Sequence, residues 1–98
     1  MNTITYEERA RVYAQAAQAY GQDMQITVAI EEMSELIKEL CKLKRLQGKL
    51  VNLAEEIADV TIMMEQLRSI FNVNELVCAF MDAKVQRLAA NLSAEEKE

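Results

Sequence analysis

The chain predicts an all-α fold, an antiparallel bundle of about four helices, and three observations carry that prediction. Its 98 residues include no proline and only two glycines, Gly21 and Gly48, so β-turns have almost no raw material. Apolar residues make up 51% of the sequence and recur at three- and four-residue spacings, the signature of one helix face. A chain of 11.2 kDa buries only about two-thirds of its unfolded surface and supports one core. The expected organisation is therefore a single domain over residues 1–92 and a polar C-terminal tail over 93–98.

Each helix has its own justification. Thr5 followed by Glu8 matches a capping box, and the Ala/Gln-rich segment Arg9 to Tyr20 continues the helix until Gly21 stops it. Asp23 is placed to cap a second helix running to about Lys44, with Ile26, Ala29, Ile30, Met33, Leu36, Ile37, Leu40 and Cys41 as its stripe. The polar stretch Lys44 to Lys49 is the internal loop. A third helix follows from about Leu50 to Phe71, striped by Leu53, Ile57, Val60, Met64, Leu67 and Phe71. Asn72 and Asn74 supply a turn and a cap, and a fourth helix covers about Glu75 to Leu92. Tyr6, Tyr13 and Tyr20 recur every seventh position on helix one and read as packing residues rather than a base-stacking platform. Ile62, Met63 and Ile70 widen the stripe of helix three beyond one face, more apolar surface than so small a core absorbs. Burial against further copies, as a homodimer or homotetramer, accounts for the surplus.

Charge and composition exclude several classes of function. A formal charge of -5, from 16 acids and 11 bases, argues against a binder of nucleic-acid backbone or of anionic membrane, both of which need a basic footprint. With no histidine, the chain lacks Ser-His and Cys-His nucleophile pairs and the Glu-x-x-His motif of carboxylate di-iron bundles. Cys41 and Cys78 lie in apolar helical stretches without Cys-x-x-Cys spacing, and are expected to be reduced, buried thiols. No apolar run is long enough to span a bilayer, and Glu7, Glu8 and Arg9 interrupt the start where a signal peptide needs its apolar stretch; the expectation is a cytoplasmic protein.

The acids are placed unlike a solvated face. Helix two carries Glu31, Glu32, Glu35 and Glu39, whose pairs 31/35 and 35/39 set like charges one turn apart. At about 100° per residue, Glu32 falls at the edge of the apolar stripe and Glu35 one step further round. On helix three Glu56 falls within the apolar sector and Asp59 at its margin, whereas Glu55 and Glu65 point to the polar side. Pairing with lysine or arginine, or plain solvation, accounts for Glu31, Glu39 and Glu55 taken singly. Glu32, Glu35, Glu56 and Asp59 form two pairs at the same spacing on neighbouring antiparallel helices, and can converge on one point. Four carboxylates without histidine or thiolate suit Mg²⁺, or Mn²⁺ in its place, and not zinc. Helix four then presents Val73, Val77 and Phe80 along a stripe that continues through Lys84, Arg87, Leu88 and Asn91, so bases replace hydrophobes on one line. Lys84 and Arg87 hold phosphate oxygens, neutralise the acids directly, or hang past the end of a shorter core.

These residues carry a family resemblance. Glu31-Glu32-Met33-Ser34-Glu35, a 20-residue gap, then Glu56-Ile57-Ala58-Asp59 resembles the Glu-Glu-x-x-Glu and Glu-x-x-Asp pattern of the MazG-like all-α nucleoside triphosphate pyrophosphohydrolases, over roughly residues 20 to 92. The resemblance implies a Mg²⁺-dependent enzyme that hydrolyses the α–β phosphate bond of a nucleoside triphosphate, releasing the monophosphate and pyrophosphate. It also implies metal ligation by Glu32, Glu35, Glu56 and Asp59, catalytic roles for Glu31, Glu35 and Glu56 with Glu31 orienting water, and substrate contacts from Lys84, Arg87 and Asn91. A narrower dUTP/dCTP or phosphoribosyl-ATP pyrophosphatase is the rival within the enzyme class. A non-catalytic helical oligomerisation or nucleotide-binding module is the rival outside it.

Overall fold

The computed structural model describes residues 3–96, which form α1 (Tyr6–Tyr20), α2 (Gln22–Lys44), α3 (Leu50–Ile70) and α4 (Asn74–Glu96), with no strand among the described residues. The all-helical class and the four helices match the expectation. At the start of α1 the Thr5 hydroxyl accepts the Glu8 N–H at 3.1 Å while the Glu8 carboxylate accepts the Thr5 N–H at 3.3 Å, the reciprocal capping box. Gly21 then serves both neighbours. Its N–H donates to Ala17 at 3.0 Å, closing α1, and its carbonyl accepts the Gln25 N–H at 3.1 Å, opening α2. Its backbone lies at φ 84, ψ 156, a region open essentially to glycine alone. Asp23 is therefore not the cap of α2. It sits inside the first turn, where its carboxylate favours the helix dipole.

The ends of α2 and α3 share one device. Gln47 N–H reaches Lys42 carbonyl at 2.9 Å and Leu46 N–H reaches Leu43 at 3.0 Å, with Leu46 left-handed at φ 61. Val73 N–H reaches Arg68 at 3.0 Å and Asn72 N–H reaches Ser69 at 3.1 Å, with Asn72 at φ 53. Both are Schellman closures. The expected turn at Asn72 is present; Asn74 instead begins α4, and its Oδ1 accepts the Arg68 guanidinium at 2.8 Å. Gly48 is needed for closeness, because a Cβ there would stand 2.8 Å from the Leu43 side chain and 3.0 Å from its backbone nitrogen.

The main packing is α2 against α3, with α1 leaning on both and α4 touching only α3. The seam differs from the expected stripes. On α2 the buried and half-buried line is Gln25, Ala29, Glu32, Leu36, Glu39 and Leu43; on α3 it is Leu53, Glu56, Val60, Met63 and Gln66. Ile30, Ile37 and Leu40, placed by periodicity on the inward stripe, are 59%, 61% and 46% exposed. Cys41 and Cys78 are free and exposed, against the expectation of burial. Tyr6 and Tyr20 are exposed as well, and only Tyr13 packs as foreseen.

Helix α4 departs furthest from a closed bundle. It extends through Ser93–Glu96, four residues assigned to the tail, while the last two tail residues lie outside the described residues. Every described residue after Val77 is exposed, Phe80, Leu88 and Leu92 included. The chain accordingly presents 8109 Å² of surface, where a compact monomer of its mass presents about 5,700 Å². Its radius of gyration is 17.1 Å, against about 13 Å for a compact chain near this length. Among the described residues no helix is long and apolar enough to cross a membrane.

Candidate metal centre

The seam between α2 and α3 brings carboxylates together. One oxygen each from Glu32, Glu56 and Asp59 lie within 4.8 Å of one another, and all three side chains are half-buried. Glu56 and Asp59 are one turn apart on α3, and Glu32 meets them from α2, so the geometry is set by the pairing of two regular helices. Among the described residues no lysine or arginine forms an ion pair with any of the three. Glu56 Oε2 is buried with no hydrogen-bond partner. Such crowding raises the proton affinity of the site. Burial, then the charge and hydrogen bonding of Asp59, then Glu56 and Glu35, push the Glu32 carboxyl above its usual range. Glu56 moves the same way through burial and the charges of Asp59, Glu35, Glu55 and Glu39.

The other residues singled out from the sequence take different places. Glu35 is exposed at the rim of the cluster, close enough to act electrostatically on both Glu32 and Glu56. Glu31 is exposed, and its main-chain carbonyl accepts the Ser34 hydroxyl at 2.7 Å. Lys84, Arg87 and Asn91 lie on the free length of α4, all exposed, and α4 has no contact with α2. One chain thus gathers Glu32, Glu56 and Asp59, borders them with Glu35, and leaves the bases apart.

Two further acids are more buried than the sequence suggests. Glu39, expected to be solvated or paired, is paired with Lys42 at 3.4 Å through its Oε1, but on its own helix rather than across the bundle; it is only 9% exposed, and its Oε2 has no partner among the described residues. The signal was present as a seven-residue repeat, Gln25, Glu32, Glu39, the seam positions of one paired helix. Glu65, assigned to the polar side, is half-buried against α1, where its Oε2 accepts the Tyr13 hydroxyl and its Oε1 accepts Arg9 at 3.4 Å. Burial and this carboxylate push the Tyr13 hydroxyl up from 10.0 to about 12. Nothing in the local pattern around Glu65 marks a partner 52 residues away.

The donor set fits a hard divalent cation: carboxylate oxygens only, partly shielded from water, one of them buried and lacking a partner. No protein-family model matches this chain, and neither a curated protein nor a solved structure matches it.

Proposed function

We propose that the chain is a Mg²⁺-dependent nucleotide pyrophosphohydrolase that cleaves the α–β phosphate bond of a nucleoside triphosphate. The observation that carries this reading is the convergence of Glu32, Glu56 and Asp59 within 4.8 Å with no lysine or arginine paired to them among the described residues. It is supported by the two-part acidic motif that resembles the MazG-like enzymes. When bound, Mg²⁺ supplies charge neutralisation of the polyphosphate and a lowered pKa for a water in its shell. Glu32, Glu56 and Asp59 would hold the ion, with Glu35 at the rim as a further ligand, and the exposed Glu31 would orient the attacking water. Lys84 and Arg87 bind phosphate oxygens, and Asn91 joins them.

In this reading the protein works as a homodimer or homotetramer. The surface in excess of a compact monomer, about 2,400 Å², is what an obligate interface buries, and the free face of α4 supplies its apolar part. Lys84 and Arg87 on the free face of α4 are complementary in charge to the acids, and in this reading a second copy is what supplies them to the site. The same exposed face favours a second reading, a helical oligomerisation module that holds metal and nucleotide without turnover.

Pyrophosphate release, screened over canonical and modified nucleoside triphosphates with and without Mg²⁺, separates the two. The enzyme reading expects metal-dependent release, reduced about 100-fold or more by Glu56→Gln with the helical circular dichroism unchanged. Full turnover by that variant removes Glu56 from the site, and no release from any substrate leaves the module.

A further inference from the structure

Between α1 and α3, on a different side of α3 from the α2–α3 seam, lies a groove of about 500 Å³ lined by Val12, Tyr13, Ile62 and Gln66, with Arg9 and Glu65 among its polar members. This volume is in the range of small-molecule sites, and the lining combines apolar side chains with the polar Arg9, Thr61, Glu65 and Gln66. Gln66 is its unusual member. It is 8% exposed, and its Oε1 is buried with no hydrogen-bond donor, a costly state for an amide that structures seldom tolerate without use. Asp59, Ile62 and Gln66 follow one another at three and four residues along α3, so they share one ridge. Seven residues of helix place Gln66 about 10 Å beyond Asp59.

Resting on the pyrophosphohydrolase reading, we infer that this groove receives the nucleoside of the substrate and that Gln66 reads the hydrogen-bonding edge of the base. With the triphosphate bound through the ion that Glu32, Glu56 and Asp59 would hold, the ridge leads the sugar past Ile62 and delivers the base to Gln66. A half-turn of the terminal amide, a torsion with broad two-fold preference, presents oxygen or nitrogen to the groove. The amide pairs with an edge that offers an N–H donor next to an acceptor, the same matching by which glutamine recognises adenine. The ligand's N–H supplies the donor that Oε1 lacks. Tyr13 walls the groove, its hydroxyl tied to Glu65 and Glu65 tied to Arg9, so the ring is held in place before a base arrives.

The test compares the full chain with Gln66→Leu and Gln66→Glu. Two probes are used: Mg²⁺-dependent pyrophosphate release from nucleoside triphosphates of each base and from inorganic tripolyphosphate, and equilibrium binding of the corresponding nucleoside monophosphates. The inference expects each variant to raise KM and weaken monophosphate binding for the preferred base about tenfold to a hundredfold. Turnover at saturation and all tripolyphosphate kinetics stay unchanged, and Gln66→Glu shifts preference toward bases offering donors only. Equal losses for every base and for tripolyphosphate, or a variant that changes oligomeric state while keeping base preference, overturn it. Monophosphate binding in a wild-type chain that releases no pyrophosphate, if abolished by Gln66→Leu, retains the base site and rejects the hydrolase reading.

Discussion

At the scale of single residues, the determining fact is that Glu32 and Glu56 occupy positions where packed helices normally place leucine. The wheel made this legible for Glu56 and Asp59, because a three-residue spacing on a regular helix fixes which face they share. It misplaced Glu65, and the burial of Glu39 went unforeseen, since their surroundings come from other helices: Glu39 from the α2–α3 seam, Glu65 from Tyr13 and Arg9 on α1. The raised proton affinity of Glu32 and Glu56 makes stability depend on pH with a definite sign. Both carboxyls bind protons more tightly in the folded chain than at their ordinary value of 4.5. Between that value and the folded one the native state holds more protons than the unfolded state, so stability falls as pH rises. Without divalent ions, the melting temperature set by these two groups is higher at mildly acidic than at neutral pH. Mg²⁺ at millimolar concentration raises the neutral melting temperature by binding only the folded state, and raises it less at pH 5, where protons compete. A Mg²⁺ shift that is absent, or larger at pH 5, contradicts a metal centre built from these acids.

At the scale of elements, the helices and their joints were mostly legible, and their partners were not. Thr5, Glu8 and Gly21 announce local geometry that needs no knowledge of the rest of the chain. The loop between α2 and α3 was placed correctly through Gly48, although the residue that takes the left-handed backbone is Leu46, at φ 61 and 95% exposed. A left-handed non-glycine residue costs about 1–2 kcal/mol, so Leu46→Gly is expected to stabilise the chain by about 1 kcal/mol in urea unfolding. Gly48→Ala is expected to destabilise it by about 1–3 kcal/mol, as the new methyl meets Leu43. Equal stability in both variants contradicts this account of the turn. The inward faces escaped the sequence for a physical reason. Hydrophobic periodicity reports every apolar face of a helix, whether or not the same chain covers it, so the stripe through Ile30, Ile37 and Leu40 reads as interior although it is exposed.

At the scale of the whole molecule, the chain is more open than a compact monomer of its mass, and the proposed assembly is what would close it. Its 8109 Å² of surface and unsupported α4 predict that light scattering at micromolar concentration gives two or four times 11.2 kDa; a monomer under those conditions contradicts the assembly. That assembly and the acidic centre serve one claim, hydrolysis of a nucleoside triphosphate between its α and β phosphates. Phosphorus NMR of the wild-type chain with Mg²⁺ and a mixture of nucleoside triphosphates tests it most directly. The account predicts monophosphate and pyrophosphate signals growing together in equal amounts; diphosphate with inorganic phosphate, or an unchanged triphosphate spectrum, contradicts it.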